Sequence, residues 1–277
     1  MIFYLHEKNS GRGLIMLLQG ENEISNSTKP KVKSLYKALK LLEYFDAEHK
    51  EVGVTKLAEY SGMLKSSVHN ILQTFEQCGY VTQNCETQKY MLGGAAVSLF
   101  SRYKESRNLD YRITEYLQQL RDVYKNNVYL AEKEGDEAVY ICSEQAFYFQ
   151  KDYLSKAGAR VPLHCTSVGK VLLGYSTVKE KEEFYKKDII SYTENTITDI
   201  SELKKEMQDT IYRGYATGFE EYRYGRFCVA IPIVTGEDVV RYAIGMSCLE
   251  PISDYMLKEY LRSLRDVGKK IAGILVS

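Results

Sequence analysis

Two clusters of polar side chains and a few thiols are the parts of this sequence that could do chemistry. Lys65, Ser66, Ser67, His69 and Asn70, followed by Gln73, crowd short polar groups onto one helical stretch. Hydroxyl, amide and imidazole groups at that spacing can reach base edges and phosphates if the helix lies in a major groove. Thr166, Ser167, Val168 and Gly169 open an apolar run, and the free N–H groups of a helix start favour a carboxylate or phosphate. Cys165 or Cys228 could act as a nucleophile with His164 as its base, but as neighbours in a strand His164 and Cys165 would face opposite ways. The six cysteines never form a CxxC pair, and with four histidines a zinc site is not expected. The sequence also lacks a Walker loop, an HExxH motif and a catalytic carboxylate pair.

The elements that must position the first cluster are legible. "KPKVKSLYKALKLLEYF" opens at Pro30 and places Val32, Leu35, Leu39, Leu42 and Phe45 at three- and four-residue steps, an amphipathic helix. Its lysines read by default as a solvated face. A short helix follows from Thr55, an N-cap candidate, to Tyr60; Gly62 makes the bend and Ala58 lets the next helix cross closely. That next helix spans about 65 to 77, with Val68, Ile71, Leu72 and Phe75 inward and Gly79 ending it. "YVTQNCETQKYML" is a hairpin by alternation and turn residues, and it carries Lys89. Three helices and a hairpin in that order describe a winged helix-turn-helix. A helical hairpin with a solvated face remains the plainer alternative for residues 57–80.

Beyond this, residues 95–125 read as one helix with Leu109, Ile113, Tyr116, Leu117, Leu120 and Tyr124 on a stripe. Short β-type runs follow ("VYLAEK", "EAVYIC", "AFYFQ"), then helices near 166–176, 179–187 and 201–213. The strands "RFCVAIPIV" and "VVRYAIGMSCL" and an amphipathic helix over 253–275 close the chain. Grouped strands with helices outside them give an α+β class on an antiparallel sheet. Cys228 and Ser247 fall on the last two strands and could face one cavity. By default Cys228 is a small core residue, His164 packs, Glu220 with Glu221 makes a solvated turn, and Arg160 and Arg226 are surface charges.

The 277 residues suit two domains. Lysine plus arginine balance aspartate plus glutamate at 37 each, so binding to nucleic acid would need a local patch. Residues 1–28 read as a non-core extension; "GLIMLL" within it is too short to span a membrane, and scattered cysteines without an export signal fit the cytosol. The expected division is 29–93 for the winged domain, 94–125 for a linker helix and 126–277 for a second domain.

"KLAEYSGMLKSSVHNILQTFEQCGYV" followed by "ETQKYMLG" resembles the DNA-binding domain of the IclR family of bacterial transcription regulators. "GARVPLHCTSVGKVLL", "RGYATGFEEYRYGRFCVAIPIV" and "YAIGMSCLEP" are similar to that family's effector-domain motifs, so the resemblance covers about residues 30–277. It implies a GAF-like α/β effector domain, a double-stranded operator, and a small-molecule effector such as an organic acid or sugar derivative. It also implies a homodimer or homotetramer, with contacts through the winged domains, the linker helix and the effector domains. Ser167, Val168, Cys228, Gly245 and Ser247 match positions around the effector.

Three departures matter. Asn70 stands where an arginine is usual, and Gly218 and Gly245 replace an acidic residue and a serine found in some members. Between residues 31 and 92 there is no arginine, and eight lysines face seven acidic residues. Backbone charge must then come from lysine, and Asn70 could read adenine. Tyr222, Tyr224 and Phe227 add bulk near the effector positions, pointing away from small keto acids. The expected function is a metabolite-controlled repressor without cofactor or metal. A cysteine-dependent enzyme and a protein-binding winged module are the rivals.

Overall fold

The computed structural model describes residues 30–46, 49–147, 155–236 and 240–276. The extension at 1–28 therefore lies outside the described residues, as does the end of "AFYFQ". The chain forms two compact units that divide between Ala96 and Val97.

In the first unit, helices α1 (Lys33–Glu43), α2 (Val54–Ser61) and α3 (Lys65–Gln77) precede a hairpin of β1 (Val81–Gln83) and β2 (Tyr90–Leu92). Leu41, Phe45, Leu57, Ala58, Val68, Leu72, Val81 and Tyr90 form its core. The inward face of α1 differs from the expected stripe. Leu41 and Phe45 are buried, while Val32, Leu35 and Leu39 are at least half exposed. The helix offers two overlapping apolar rows, and packing against α2 selects the one through Leu41. Thr55 is not the cap of α2: the helix starts at Val54 with Gly53 before it and no side-chain cap. Gly62, at φ 63°, takes the left-handed bend. The end of α3 is a Schellman motif, in which Tyr80 N donates to Phe75 O (2.8 Å) and Gly79 N to Glu76 O (2.9 Å). Gly93 is required because a Cβ there would sit 2.3 Å from Gly79 O. Val52 and Tyr90 exchange backbone hydrogen bonds (2.8 and 2.9 Å), adding a third short rung to the wing.

The second unit begins with α4 (Ala95–Ser106), most of which belongs to it, and α5 (Tyr111–Tyr124). The single helix expected over 95–125 is therefore broken. Asn108 adopts a left-handed φ of 52°, and the Asp110 carboxylate caps α5 by accepting from Arg112 N. Asparagine and aspartate are the residues that tolerate and exploit such a break, so the signal was present in the sequence.

Six antiparallel strands follow: β3 (Asn127–Glu134), β4 (Glu137–Glu144), β5 (Arg160–Pro162), β6 (Ala216–Phe219), β7 (Phe227–Ile233) and β8 (Tyr242–Cys248). They are arranged β5-β4-β3-β8-β7-β6. Strands β5 and β6 are short and were not expected. On one sheet face Val128, Leu130, Val229, Ile231, Ile244 and Met246 meet α5 and the long α9 (Asp254–Val276). The other face carries α6 (Ser167–Gly174), α7 (Val178–Phe184) and α8 (Ile200–Arg213). There β7 and β8 present Cys228, Ala230, Ala243, Gly245 and Ser247 by the period-2 rule. These small side chains let α6 lie close, and every residue of α6 is buried.

Candidate functional site

The first candidate surface is on α3. Lys65, Ser66, Ser67, His69, Asn70 and Gln73 are all exposed, and Lys89 is exposed in the turn between β1 and β2. Val68 and Leu72 anchor the opposite side of the helix. Leu64 occupies the N-cap position and, being apolar, offers no side-chain acceptor to the first turn of α3. The wing turn is stiffened by Asn84, whose Oδ1 accepts from Glu86 N (2.9 Å) and Thr87 N (3.2 Å). Such a surface can hydrogen-bond a nucleic-acid backbone and base edges.

The second candidate is a cavity of about 50 Å³ at the N-terminus of α6. Ser167, Val168, Cys228 and Ser247 line it together. Gly245 does not line it but lies beneath Val168: a Cβ there would meet Val168 Cγ1, Ala230 Cβ and Val229 O, each at 3.0 Å. Gly218 does line it, and its missing side chain leaves room for Cys228 Sγ, 3.2 Å from where a Cβ would be. Of the nearby aromatics, Tyr222 reaches the cavity, while Tyr224 is exposed and Phe227 lies outside the lining. Tyr129 and Tyr140, stacked at 4.3 Å, form part of the wall that the sequence did not indicate. Ser155 completes this side, accepting from Tyr129 Oη at 3.1 Å.

The turn after β6 is the largest departure from expectation. Glu221 is buried, not solvated, and accepts from Lys170 Nζ at 2.5 Å. Lys170 Nζ also reaches Glu206 Oε1 and Thr217 O, each at 3.2 Å. Burial pushes the Glu221 carboxyl up, while Lys170 opposes the shift. Its second oxygen, Oε2, is buried and has no hydrogen-bond partner among the described residues. The turn itself is pinned by Thr196 Oγ1 donating to Glu221 O (2.6 Å) and by Gly225 N donating to Glu220 Oε1 (2.6 Å). Arg226 lines the cavity, against the surface position expected, whereas Arg160 is exposed and pairs with Glu134 and Glu137.

His164 and Cys165 lie in the bend at 163–166, not in a strand. His164 Nε2 is 2.9 Å from Ile190 O, and burial pushes its pKa down. Burial pushes the thiols of Cys165 and Cys228 up, the reverse of what a thiolate nucleophile requires. Among the described residues no cluster of three or more His, Cys, Asp or Glu could hold a metal ion, and no helix is long and apolar enough to cross a membrane.

Comparison with known proteins adds three findings. Residues 101–273 match the domain described as "Bacterial transcriptional regulator IclR C-terminal", and residues 34–84 match the "IclR helix-turn-helix domain". The chain is 30% identical over 249 residues to the HTH-type transcriptional regulator KdgR of Escherichia coli, covering 87% of this chain and 92% of that one. It is 29% identical to the transcriptional repressor IclR of the same organism, covering 72% and 73%. The crystal structure of the Thermotoga maritima IclR aligns with a TM-score of 0.71 at 26% identity, covering 88% of this chain and 98% of that one. An IclR homolog from Microbacterium hydrocarbonoxydans, complexed with 4-hydroxybenzoate, shares the fold with a TM-score of 0.73 at 18% identity, covering 87% and 98%.

Proposed function

The chain belongs to the IclR family and is a DNA-binding transcriptional regulator, and from that premise we propose that it is a repressor released by a small organic acid. Lys65, Ser66, Ser67, His69, Asn70 and Gln73 enter the major groove, and Lys89 contacts the adjacent backbone. The uncapped start of α3 supports a phosphate contact there, which offsets the missing arginine at Asn70.

The observation that carries the effector reading is the cavity in which Ser167, Val168, Cys228 and Ser247 meet at the positive end of α6. Gly245 serves by letting Val168 sit close rather than by touching the ligand. The volume is about a third of the ~150 Å³ that holds benzene in an engineered cavity, so the acid has only a few heavy atoms. The ligand of the Microbacterium homolog is also an acid, though a larger one. The exposed row Val32, Leu35 and Leu39 supports dimerisation through the winged domain, and Val97, Leu99 and Phe100 support a further contact along α4. We keep the functional division at 29–93, 94–125 and 126–277, and place the protein in the cytoplasm.

The test is a gel shift on DNA upstream of the gene and its neighbours, with a salt series and added three- and four-carbon acids. We expect a salt-sensitive complex that at least one acid dissolves. Retention of no fragment would overturn the operator reading, and complexes indifferent to every acid would overturn the effector reading.

A further inference from the structure

Helix α4 (Ala95–Ser106) is one unbroken element, and its two ends are held in different ways. At its start Ala95 N donates to Gly79 O (3.0 Å), and Gly79 is the residue that ends the reading helix α3. At its far end Tyr103 Oη donates to Glu132 Oε2 (2.7 Å), and Arg107, just past the helix, pairs with Glu132 Oε1 at 3.2 Å. The Arg107 guanidinium also lies 5.8 Å from the centre of the Tyr103 ring. Both oxygens of Glu132 are thus engaged by the α4 end of the chain.

The sheet alone gives no reason for a charge at that place. Glu132 is buried and alternates with Val128 and Leu130 on the face of β3 that meets α5 and α9. A buried carboxylate is tolerated only with partners, and these come from α4 and the residue after it. Helix α4 in turn has no fully buried residue, whereas α5 buries Ile113, Leu117 and Leu120. In a buried ion pair the attraction does little more than offset desolvation. The attachment of α4 is therefore specific without being strong, which suits an element that moves.

The same strand carries the cavity. Tyr129, three residues before Glu132, lines it on the opposite face of the sheet. Between the two, the β3–β4 register shifts at Leu130/Ala131, with Ile141 the extra residue. Such a bulge locally disrupts the ladder and re-aims side chains.

We propose that Tyr103, Glu132 and Arg107 form the latch through which the effector cavity and the reading helix sense each other. A ligand against Tyr129 moves β3 at the bulge, Glu132 changes its hold on α4, and α4 carries the change to the end of α3. This rests on the effector cavity proposed above. Glu132 is then a positioning residue, touching neither ligand nor DNA. A ligand shifts DNA affinity only through interactions that differ between two states, and by reciprocity DNA alters ligand affinity by the same factor.

The reciprocal direction can be tested without the effector, using the full-length protein with and without the DNA fragment upstream of its gene. Hydrogen exchange is read in α4 (95–106) and in the cavity wall (127–134 and 218–226) for the parent, Tyr103→Phe, Glu132→Gln and Glu144→Gln. Glu144 is the control, because with Arg121 (2.6 Å) it ties α5 rather than α4 to the sheet. In the parent, DNA should change exchange in the cavity wall by about fivefold or more. Tyr103→Phe and Glu132→Gln should still bind the fragment, exchange faster in α4 and lose the cavity response, while Glu144→Gln keeps it. Tyr103→Phe removes a single hydroxyl and decides the matter if Glu132→Gln does not fold. A cavity wall indifferent to DNA in the parent, or one that responds as strongly in both latch variants, would overturn the latch. The cavity reading fails on a different result, complexes indifferent to every added acid.

Discussion

Lys170 Nζ donates to Glu221 Oε1 at 2.5 Å although the two residues are 51 apart in sequence. The pair ties the buried helix α6 to the turn between β6 and β7, and so fixes two walls of one cavity relative to each other. Both side chains are almost fully buried, and Glu206 and Thr217 O satisfy the remaining ammonium protons. In such a pair the attraction does little more than offset desolvation, whereas removing one partner strands a charge.

Lys170→Met should therefore destabilise the protein by about 3–5 kcal/mol in urea unfolding. Adding Glu221→Leu should recover most of that loss, since an apolar pair of similar volume needs no compensation. A single variant as stable as the parent would mean that Glu221 is not buried as described.

The exposed face of α3 separates recognition from folding. Ser67→Ala and Asn70→Ala should each weaken operator binding by about 1–3 kcal/mol with unchanged melting curves. Unchanged affinity in both variants would remove this helix from the groove.

Filling the cavity should uncouple ligand from DNA. Cys228→Leu pushes bulk toward Gly218 and Ser167, at an overpacking cost of about 1–3 kcal/mol. We expect operator binding to persist while release by acid is lost. Ser247→Ala should weaken an ionised effector by about 1.5–3 kcal/mol if its hydroxyl bonds the carboxylate, and by about 0.5–1.5 if it bonds a neutral group. A leucine variant that still releases DNA like the parent would return Cys228 to the plain core.

The apolar row on α1 makes a prediction about assembly. Leu35→Asp with Leu39→Asp changes two half-exposed positions, so the winged unit should stay folded while sedimentation shifts toward smaller species. Footprints of the parent should show a pseudo-palindrome with half-sites about one helical turn apart or a multiple of it. Unchanged assembly in the double variant would assign dimer formation elsewhere.

Glu180 sets a pH dependence. Hydrogen bonds from Lys133 (2.5 Å) and from Thr177 hold its pKa down at about 2. The folded pKa lies below the unfolded one, so its contribution is fully present above about pH 4.5 and is lost as pH falls toward 2. The carboxylate is 44% exposed, and solvent screening leaves about 1 kcal/mol. Glu180→Gln should lose that amount at pH 7 and flatten the acid limb of the stability curve. An acid limb that kept the parent's slope would assign the dependence to other carboxylates.

Local pattern was enough for much of the molecule. The apolar spacing of Val68, Ile71, Leu72 and Phe75 fixes α3 and, by exclusion, which polar residues it turns outward. Gly62 closes α2 before it and Gly79 ends α3, because only a residue without Cβ takes their left-handed φ at no cost. The order of helices and hairpin, and the alternation in β7 and β8, needed nothing beyond neighbouring residues. On that scale Ser167, Val168, Cys228 and Ser247 could be named as a group through the motifs of a known family.

Tertiary packing decided the rest, for one physical reason: burial and pairing are set by residues far apart in the chain, which spacing along the sequence does not encode. Leu41 and not Leu39 turns inward because α2 packs on that row of α1. Tyr129 and Tyr140 become cavity wall only when β3 pairs with β4. Glu221 looks like half of a solvated acidic pair until the fold brings Lys170 to it across 51 residues. The sequence determined the winged helix-turn-helix, the polar face of α3 and the family; the fold decided which charges are buried and which side chains line the cavity.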